Sequence, residues 1–356
     1  MFPAILAFNL NPDTCQINVL GSGLINHTWK ITSAAHEYVL QRINTNVFKQ
    51  PGAIENNLTK LDNYLKATAP TYLFAAPLAA NDGSHLIRVD GEYYRLSPFI
   101  HDSHTVDFVS KPAQAYEAAK QFGKFTRLLD GFDPNQLQYS LPDFHNLSLR
   151  ISQFRSAIDA ASEERKEKAF FEIRQIESSS DIADIYEKII NTGRIPLRVI
   201  HHDTKINNIL FDGNDKGICV IDLDTVMPGY FISDVGDMMR TYLSEANEEE
   251  KDISQIKIRT GLFKAIYAGY MEEMGNVLSE QEKDIFLYSG KFMIYMQAVR
   301  FLTDYLNGDI YYHIKYADHN LFRAKNQLTL FNQYLDSEGK FNEIIAQFEQ
   351  KSKNSF

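Results

Sequence analysis

The fold turns on the stretch His201-His202-Asp203-Thr204-Lys205-Ile206-Asn207-Asn208-Ile209-Leu210-Phe211-Asp212. A polar loop follows the apolar run at 197–200 and gives way to a second apolar run, so a carboxylate at 203 and an amide at 208 sit between strand-like segments. The chain then reads Cys219-Val220-Ile221-Asp222-Leu223-Asp224, with an acid, Asp222, at the end of a buried strand fourteen residues after Asn208. Asp212-Gly213-Asn214-Asp215-Lys216-Gly217 lies between the two and reads as a turn.

On either side of this stretch the texture differs. Up to about residue 100 the segments are short, alternating and rich in β-branched and aromatic residues. Residues 16–20, 28–32 and 38–43 read as strands, and 86–89 and 93–96 flank Asp90-Gly91, a hairpin turn whose positive-φ residue is Gly. Between them, residues 52–66 carry Ile54, Leu58, Leu61 and Leu65 at helical spacing. Beyond residue 100 helices dominate, with segments expected at 112–129, 143–160, 163–177, 253–272, 280–305 and 312–334. The expectation is an α+β, two-lobed fold: a small sheet-based lobe at 1–100 and a larger, mainly helical lobe at 101–356. The boundary falls near 97–103, and the cleft between lobes is the natural place for a ligand.

Bulk properties narrow the function classes. With 44% hydrophobic and 23% charged residues, the 356-residue chain has the profile of a folded soluble protein. A net charge of −10 argues against a nucleic-acid partner, which calls for a basic face. Two cysteines, Cys15 and Cys219, make neither a disulfide framework nor a zinc cluster, so a reducing cytoplasm is expected. The first residues read as no signal peptide, no apolar stretch approaches the roughly 20 residues of a membrane helix, and no protein partner is implied.

The acid–amide–acid set is what phosphoryl transfer asks for: a carboxylate to accept the attacking hydroxyl proton, and an amide and a carboxylate to hold Mg²⁺ against a triphosphate. Two turn-forming Asp/Asn clusters beside a hairpin would give the same letters without the chemistry. The stretch resembles the H-x-D-x-x-x-x-N loop of the aminoglycoside phosphotransferase and choline kinase superfamily, relatives of the protein kinases. That resemblance implies ATP and Mg²⁺ as cofactors, Asp203 as catalytic base, and Asn208 and Asp222 as metal ligands. Asp224 keeps two readings, a metal or substrate contact or a brace for the loop. Asp234, in Ile232-Ser233-Asp234-Val235-Gly236-Asp237, resembles the aspartate that braces the catalytic loop in the same superfamily.

The small lobe carries matching features. In Leu20-Gly21-Ser22-Gly23-Leu24-Ile25-Asn26-His27-Thr28, the glycines let backbone N–H groups approach phosphate oxygens, as they would in a plain hairpin turn. Asn26 stands where a protein kinase has a third Gly, a departure that fits the superfamily. In Tyr38-Val39-Leu40-Gln41-Arg42, alternation puts Leu40 and Arg42 on one face. By resemblance Leu40 would meet the adenine and Arg42 the phosphates, with Glu55 of the following helix as its ion-pair partner. The alternative for Arg42 is an exposed strand-end cation.

The runs 24–28, 39–44 and 220–229 are similar to the bacterial N-acetylhexosamine 1-kinases, a likeness that extends from about residue 16 to 330. It implies a neutral sugar substrate phosphorylated at its anomeric hydroxyl, with His27, Asp203, Arg300 and Tyr311 as sugar contacts. Arg300 as an ordinary helix-surface cation remains open. So do an aminoglycoside, choline or amino-alcohol substrate on the same fold, and a nucleotide-binding pseudokinase.

Overall fold

Strand alternation decides which residues of the small lobe meet the cleft. The computed structural model describes residues 1–21, 25–34 and 36–353. After helix α1 (Phe2–Ala7) come β1 (Cys15–Val19), β2 (His27–Ser33) and β3 (His36–Ile43), then α2 (Pro51–Thr68), β4 (Ile87–Val89) and β5 (Glu92–Pro98). The strands form one antiparallel sheet in the order β1-β2-β3-β5-β4. Asp90 and Gly91 take φ of 52° and 85° at the β4–β5 turn, as two positive-φ hairpin positions require.

One face of the sheet buries Ile31, Leu40, Ile87, Tyr94 and Leu96 under Ala4, Ile5 and Phe8 of α1 and its C-terminal end. The other face turns Ile43 toward Ile54 and Leu58 of α2, which join the core of the large lobe. Because side chains alternate, Val39, Gln41 and Ile43 share that inner face, while Leu40 and Arg42 lie on the outer one. α2 forms as its spacing requires, with Pro51 in the first turn and Ile54, Leu58, Leu61 and Leu65 all buried.

The large lobe contains α3 (Pro112–Leu128), α4 (Leu147–Ala160), α5 (Glu163–Lys168), α6 (Phe170–Ser178) and α7 (Asp181–Thr192). Four short strands follow: β6 (Arg198–Ile200), β7 (Ile209–Phe211), β8 (Gly217–Val220) and β9 (Met227–Gly229). β6 pairs with β9 and β7 with β8, so the sequence 201–208 is a loop held at both ends by antiparallel pairs. The chain ends in α8 (Phe231–Tyr242), α9 (Thr260–Met274), α10 (Glu280–Asp284), α11 (Phe286–Leu306) and α12 (His319–Lys353). No helix among the described residues is long and apolar enough to cross a membrane. Both cysteines are free.

Several helices depart from their sequence expectation for local reasons. Asn146 caps α4 by accepting the N–H of Leu149 (3.1 Å), so the helix starts at Leu147 rather than 143. Asp304 accepts the N–H groups of Ile310, Tyr311 and Tyr312 at 2.8–3.1 Å, which holds them as a loop and delays the last helix to His319. The segment at 163–177 divides at Ala169 into α5 and α6, and the one at 253–272 becomes helical only from Thr260. α7 and α8 were not expected. α8 is buried nearly all round, with the polar residues Ser233, Asp234 and Asp237 inside it.

Two buried contacts fix the ends of the central loop. Arg198 of β6 donates from Nε and Nη2 to Glu282, at 2.9 Å each, where Glu282 also closes a capping box with Ser279 on α10. Gly236 lets α8 lie against α11, since a methyl group there would collide with the Ser289 carbonyl. α8 is thereby held close enough to serve the loop.

Candidate active site

Asp203 is presented by a loop whose backbone is gripped from below. Asp234, fully buried at the start of α8, accepts the N–H of His201 on Oδ2 (2.9 Å) and of His202 on Oδ1 (2.7 Å). Burial pushes its carboxyl up to about 6, against the pull of His201 and the two N–H groups. Asp237, one helical turn on, accepts the N–H of Thr204 (2.9 Å), and the Thr204 hydroxyl donates to the Asp234 carbonyl (2.7 Å). His202 takes φ 67°, a left-handed conformation that the surrounding bonds impose. His201 donates from Nε2 to the Ile221 carbonyl (2.9 Å), leaving Nδ1 to accept the N–H of Asp203 (3.3 Å).

Around Asp203 the charges are paired. Lys205 Nζ lies 3.1 Å from Oδ1, and Asn208 Nδ2 donates to the Asp203 carbonyl (2.8 Å) and to Oδ2 (3.1 Å). Burial works to raise this carboxyl, yet Lys205, His201 and Asn208 together hold it below the usual range. Asp203 is therefore ionised at neutral pH. The sequence reading passed over Lys205, although its place two residues after Asp203 was the available signal.

Asp222 follows at the end of β8 with φ 56°, and its side chain is open to the cleft. Protein crowds it on its other sides, and this with the neighbouring Asp224 and Asp203 pushes it up to about 7. Burial is the larger cause and the two neighbouring acids the smaller, with Arg95 and Lys205 pulling the other way. Asp224, only 2% exposed, is engaged otherwise: Oδ2 accepts from Asn26 Nδ2 (2.6 Å), and Arg95 of β5 forms an ion pair with Oδ1. Of its two readings, the brace is the one these contacts support. Asn208, Asp203 and Asp222 are brought together as expected.

The small-lobe expectations fare differently. Gly21 has φ 69°, whereas Ser22 and Gly23 lie outside the described residues. Asn26 is tied to Asp224 and accepts the Asn44 N–H on Oδ1 (2.9 Å), so it stitches the turn to the large lobe. Leu40 is buried toward α1, and Arg42 follows it onto the outer face, opposite His27 and Tyr94. The pair expected to face the nucleotide thus faces away, because strand alternation fixes partners but not which face meets the cleft. Glu55 does not pair with Arg42. It accepts the N–H groups of His85 (2.8 Å) and Leu86 (3.1 Å), and lines a small cavity with Arg95. Arg95 itself carried no motif that would have revealed it.

Among the expected sugar contacts, His27 stacks on Trp29 on the outer face and is not brought to Asp203. Arg300 of α11 packs over Phe144 and Tyr312, at 5.5 and 5.7 Å from the ring centroids, and Nη1 donates to Gln297 (3.3 Å). Phe144 stacks on His145 (4.4 Å), and His145 lies 5.2 Å from the ring of His202, next to Asp203. Arg300 is thus linked to the catalytic loop through two rings. Burial holds His202 down to about 4 and His145 well below its ordinary value, so both are neutral. Tyr311 is 71% exposed, edge-on to Tyr312.

A small antiparallel sheet over a larger helical lobe, with an acid loop and a second acid pair at their junction, is the protein-kinase-like architecture. Residues 16–258 match the phosphotransferase enzyme family, and the chain belongs to that family. Its fold is that of solved kinases at low sequence identity. A microcompartment-associated aminopropanol kinase is 14% identical with TM-score 0.64, over 95% of this chain and 97% of the other. A spectinomycin phosphotransferase, solved with ADP and spectinomycin, is 13% identical with TM-score 0.60, over 94% and 97%. The ethanolamine kinase of Plasmodium vivax is 13% identical with TM-score 0.55, over 90% and 84%.

Asp234→Asn tests the grip on the loop, because an amide offers one acceptor where two N–H groups need one each. The expected result is a loss of about 1–3 kcal/mol of stability in urea unfolding, with turnover lowered alongside. Unchanged stability and turnover would remove Asp234 from its bracing role.

Proposed function

We propose that this phosphotransferase uses Mg·ATP to phosphorylate the anomeric hydroxyl of N-acetylglucosamine or N-acetylgalactosamine, releasing ADP and the sugar 1-phosphate. The observation that carries the substrate class is the neutral-to-cationic series of side chains that runs from His202, next to Asp203, through His145 and Phe144 to Arg300. Neutral His145 and His202 lead to Arg300, whose contacts are Gln297 and two aromatic rings. Among the described residues no carboxylate lies within ion-pair distance of Arg300. A cationic choline, amino alcohol or aminoglycoside is repelled there, while a sugar's hydroxyls and acetamido carbonyl find donors. Within this reading Arg300 is the sugar contact the packing favours, Tyr311 lies at an exposed rim, and His27 has no part.

The acids suit a divalent cation. Asp222, whose carboxyl is pushed up to about 7 by burial and by the neighbouring Asp224 and Asp203, is the acid that a cation would relieve most. Asn208 spends its Nδ2 on Asp203, which leaves Oδ1 as a hard oxygen donor. Asn208 and Asp222 would hold Mg²⁺, which when bound neutralises charge on the phosphate oxygens.

Asp203, already ionised, accepts the proton of the anomeric hydroxyl as that oxygen bonds to the γ-phosphorus and the bond to ADP breaks. An anomeric hydroxyl is more acidic than an ordinary alcohol, so a carboxylate without a raised pKa is a sufficient base. Lys205, His201 and Asn208 keep the base ionised and aimed.

ADP release from Mg·ATP should accompany N-acetylglucosamine or N-acetylgalactosamine but not their 1-O-methyl glycosides. Turnover with choline or an aminoglycoside alone would overturn the sugar reading. Asp203→Asn should lower turnover at least about 100-fold while sparing nucleotide binding. Undiminished turnover in that variant would remove Asp203 from the chemistry.

A further inference from the structure

We propose that Arg95 on β5, and no residue of β3, is the small-lobe cation that receives the nucleotide phosphates, with Gln41 positioning it. The inference rests on the Mg·ATP reading of the site. Its grounds are the register of the sheet and the way the guanidinium is held.

On the inner face of the sheet, β3 offers Val39, Gln41 and Ile43, none of them a cation, and Gln41 lies directly opposite Arg95. Gln41 Oε1 accepts from both Nε (3.0 Å) and Nη2 (2.8 Å) of Arg95. The amide is itself oriented, since its Nε2 donates to the Thr28 hydroxyl (3.3 Å). One edge of the guanidinium is therefore clamped by a neutral group that cancels none of its charge. The other edge points across the cleft, with Nη1 against Asp224 Oδ1.

That second contact is an incomplete one. Nη1 and Oδ1 are both buried and form an ion pair, yet neither has a hydrogen-bond partner of good geometry. Arg95 is 5% exposed, so the charge is shielded from water and strong toward whatever replaces that contact. A phosphate oxygen is a better partner than the misaligned carboxylate, because it can take Nη1 in line. On exchange Asp224 keeps the Asn26 donor on its Oδ2.

The other cations near the inner face are committed. Lys30 Nζ lies 2.8 Å from Glu37 and 4.1 Å above the ring of Phe99. Lys205 holds Asp203, and Arg42 is on the outer face. Gln41 on β3 and Arg95 on the adjacent strand β5 thus act as a pair, the amide aiming the cation.

Binding of ADP without metal, followed by titration calorimetry on the full chain, tests this directly. Arg95→Met should weaken ADP at least about tenfold, Arg95→Lys less, and Arg42→Ala no more than about twofold. Arg95→Met leaves Asp224 without its cation, so the double variant R95M/D224N is measured beside it. Continued weak binding in the double variant supports the assignment. Recovery to the wild-type value would show that stranded charge caused the loss, and would overturn it. Gln41→Leu should raise KM for ATP several-fold, and by a larger factor than it lowers kcat, a split that a merely structural residue would not give. Weakening by Arg42→Ala and not by Arg95→Met would overturn this inference alone. Absence of ADP binding by the wild-type chain would overturn the Mg·ATP reading with it.

Discussion

A single buried carboxylate organises the catalytic loop. Asp234 takes the N–H groups of two consecutive residues, His201 and His202, and so fixes the backbone immediately before Asp203. The bill is a carboxyl raised to about 6 by burial, which the two N–H groups only partly offset. Everything that positions Asp234 therefore bears on the chemistry: the close approach of α8 to α11 at Gly236, and the Arg198–Glu282 pair that anchors β6 at the loop's start.

The site concentrates acids, and its remaining residues can be understood as answers to that crowding. Lys205 and Asn208 hold Asp203 ionised, Arg95 and Asn26 occupy Asp224, and Asp222 is left with its pKa raised. In the proposed reading one acid serves as base, one as brace and one as ligand, though all three are aspartates within a short stretch of chain. The brace does a second service, since Asn26 and Arg95 come from the small lobe while Asp224 belongs to the large one. Asn57 of α2 adds to the join by donating to the carbonyls of Gln138 (2.7 Å) and Val226 (3.0 Å).

The loop from His201 to Asn208 and the acids after it were legible because their spacing is local and each residue type has a chemical reason to be there. The order of lobes, the Asp90-Gly91 hairpin and the buried stripe of α2 were legible from period and turn chemistry. What stayed hidden depended on contacts distant in sequence. Alternation correctly grouped Leu40 with Arg42 but could not say that α1 would cover that face. Arg95 gains its place only through its register with Gln41 and through Asp224, 129 positions further along. Asp304, which converts 310–312 from helix to loop, acts through side-chain acceptance that no hydrophobic pattern displays.

The proposed substrate, a neutral sugar with a reactive anomeric hydroxyl, rests on Arg300 and on an ionised Asp203. Phosphorus NMR of a reaction with Mg·ATP and N-acetylglucosamine tests this most directly. The account predicts ADP and a phosphomonoester whose phosphorus couples to the anomeric proton. A phosphate ester on the hydroxyl of another carbon, or ATP left intact beside free N-acetylglucosamine and N-acetylgalactosamine, would contradict it.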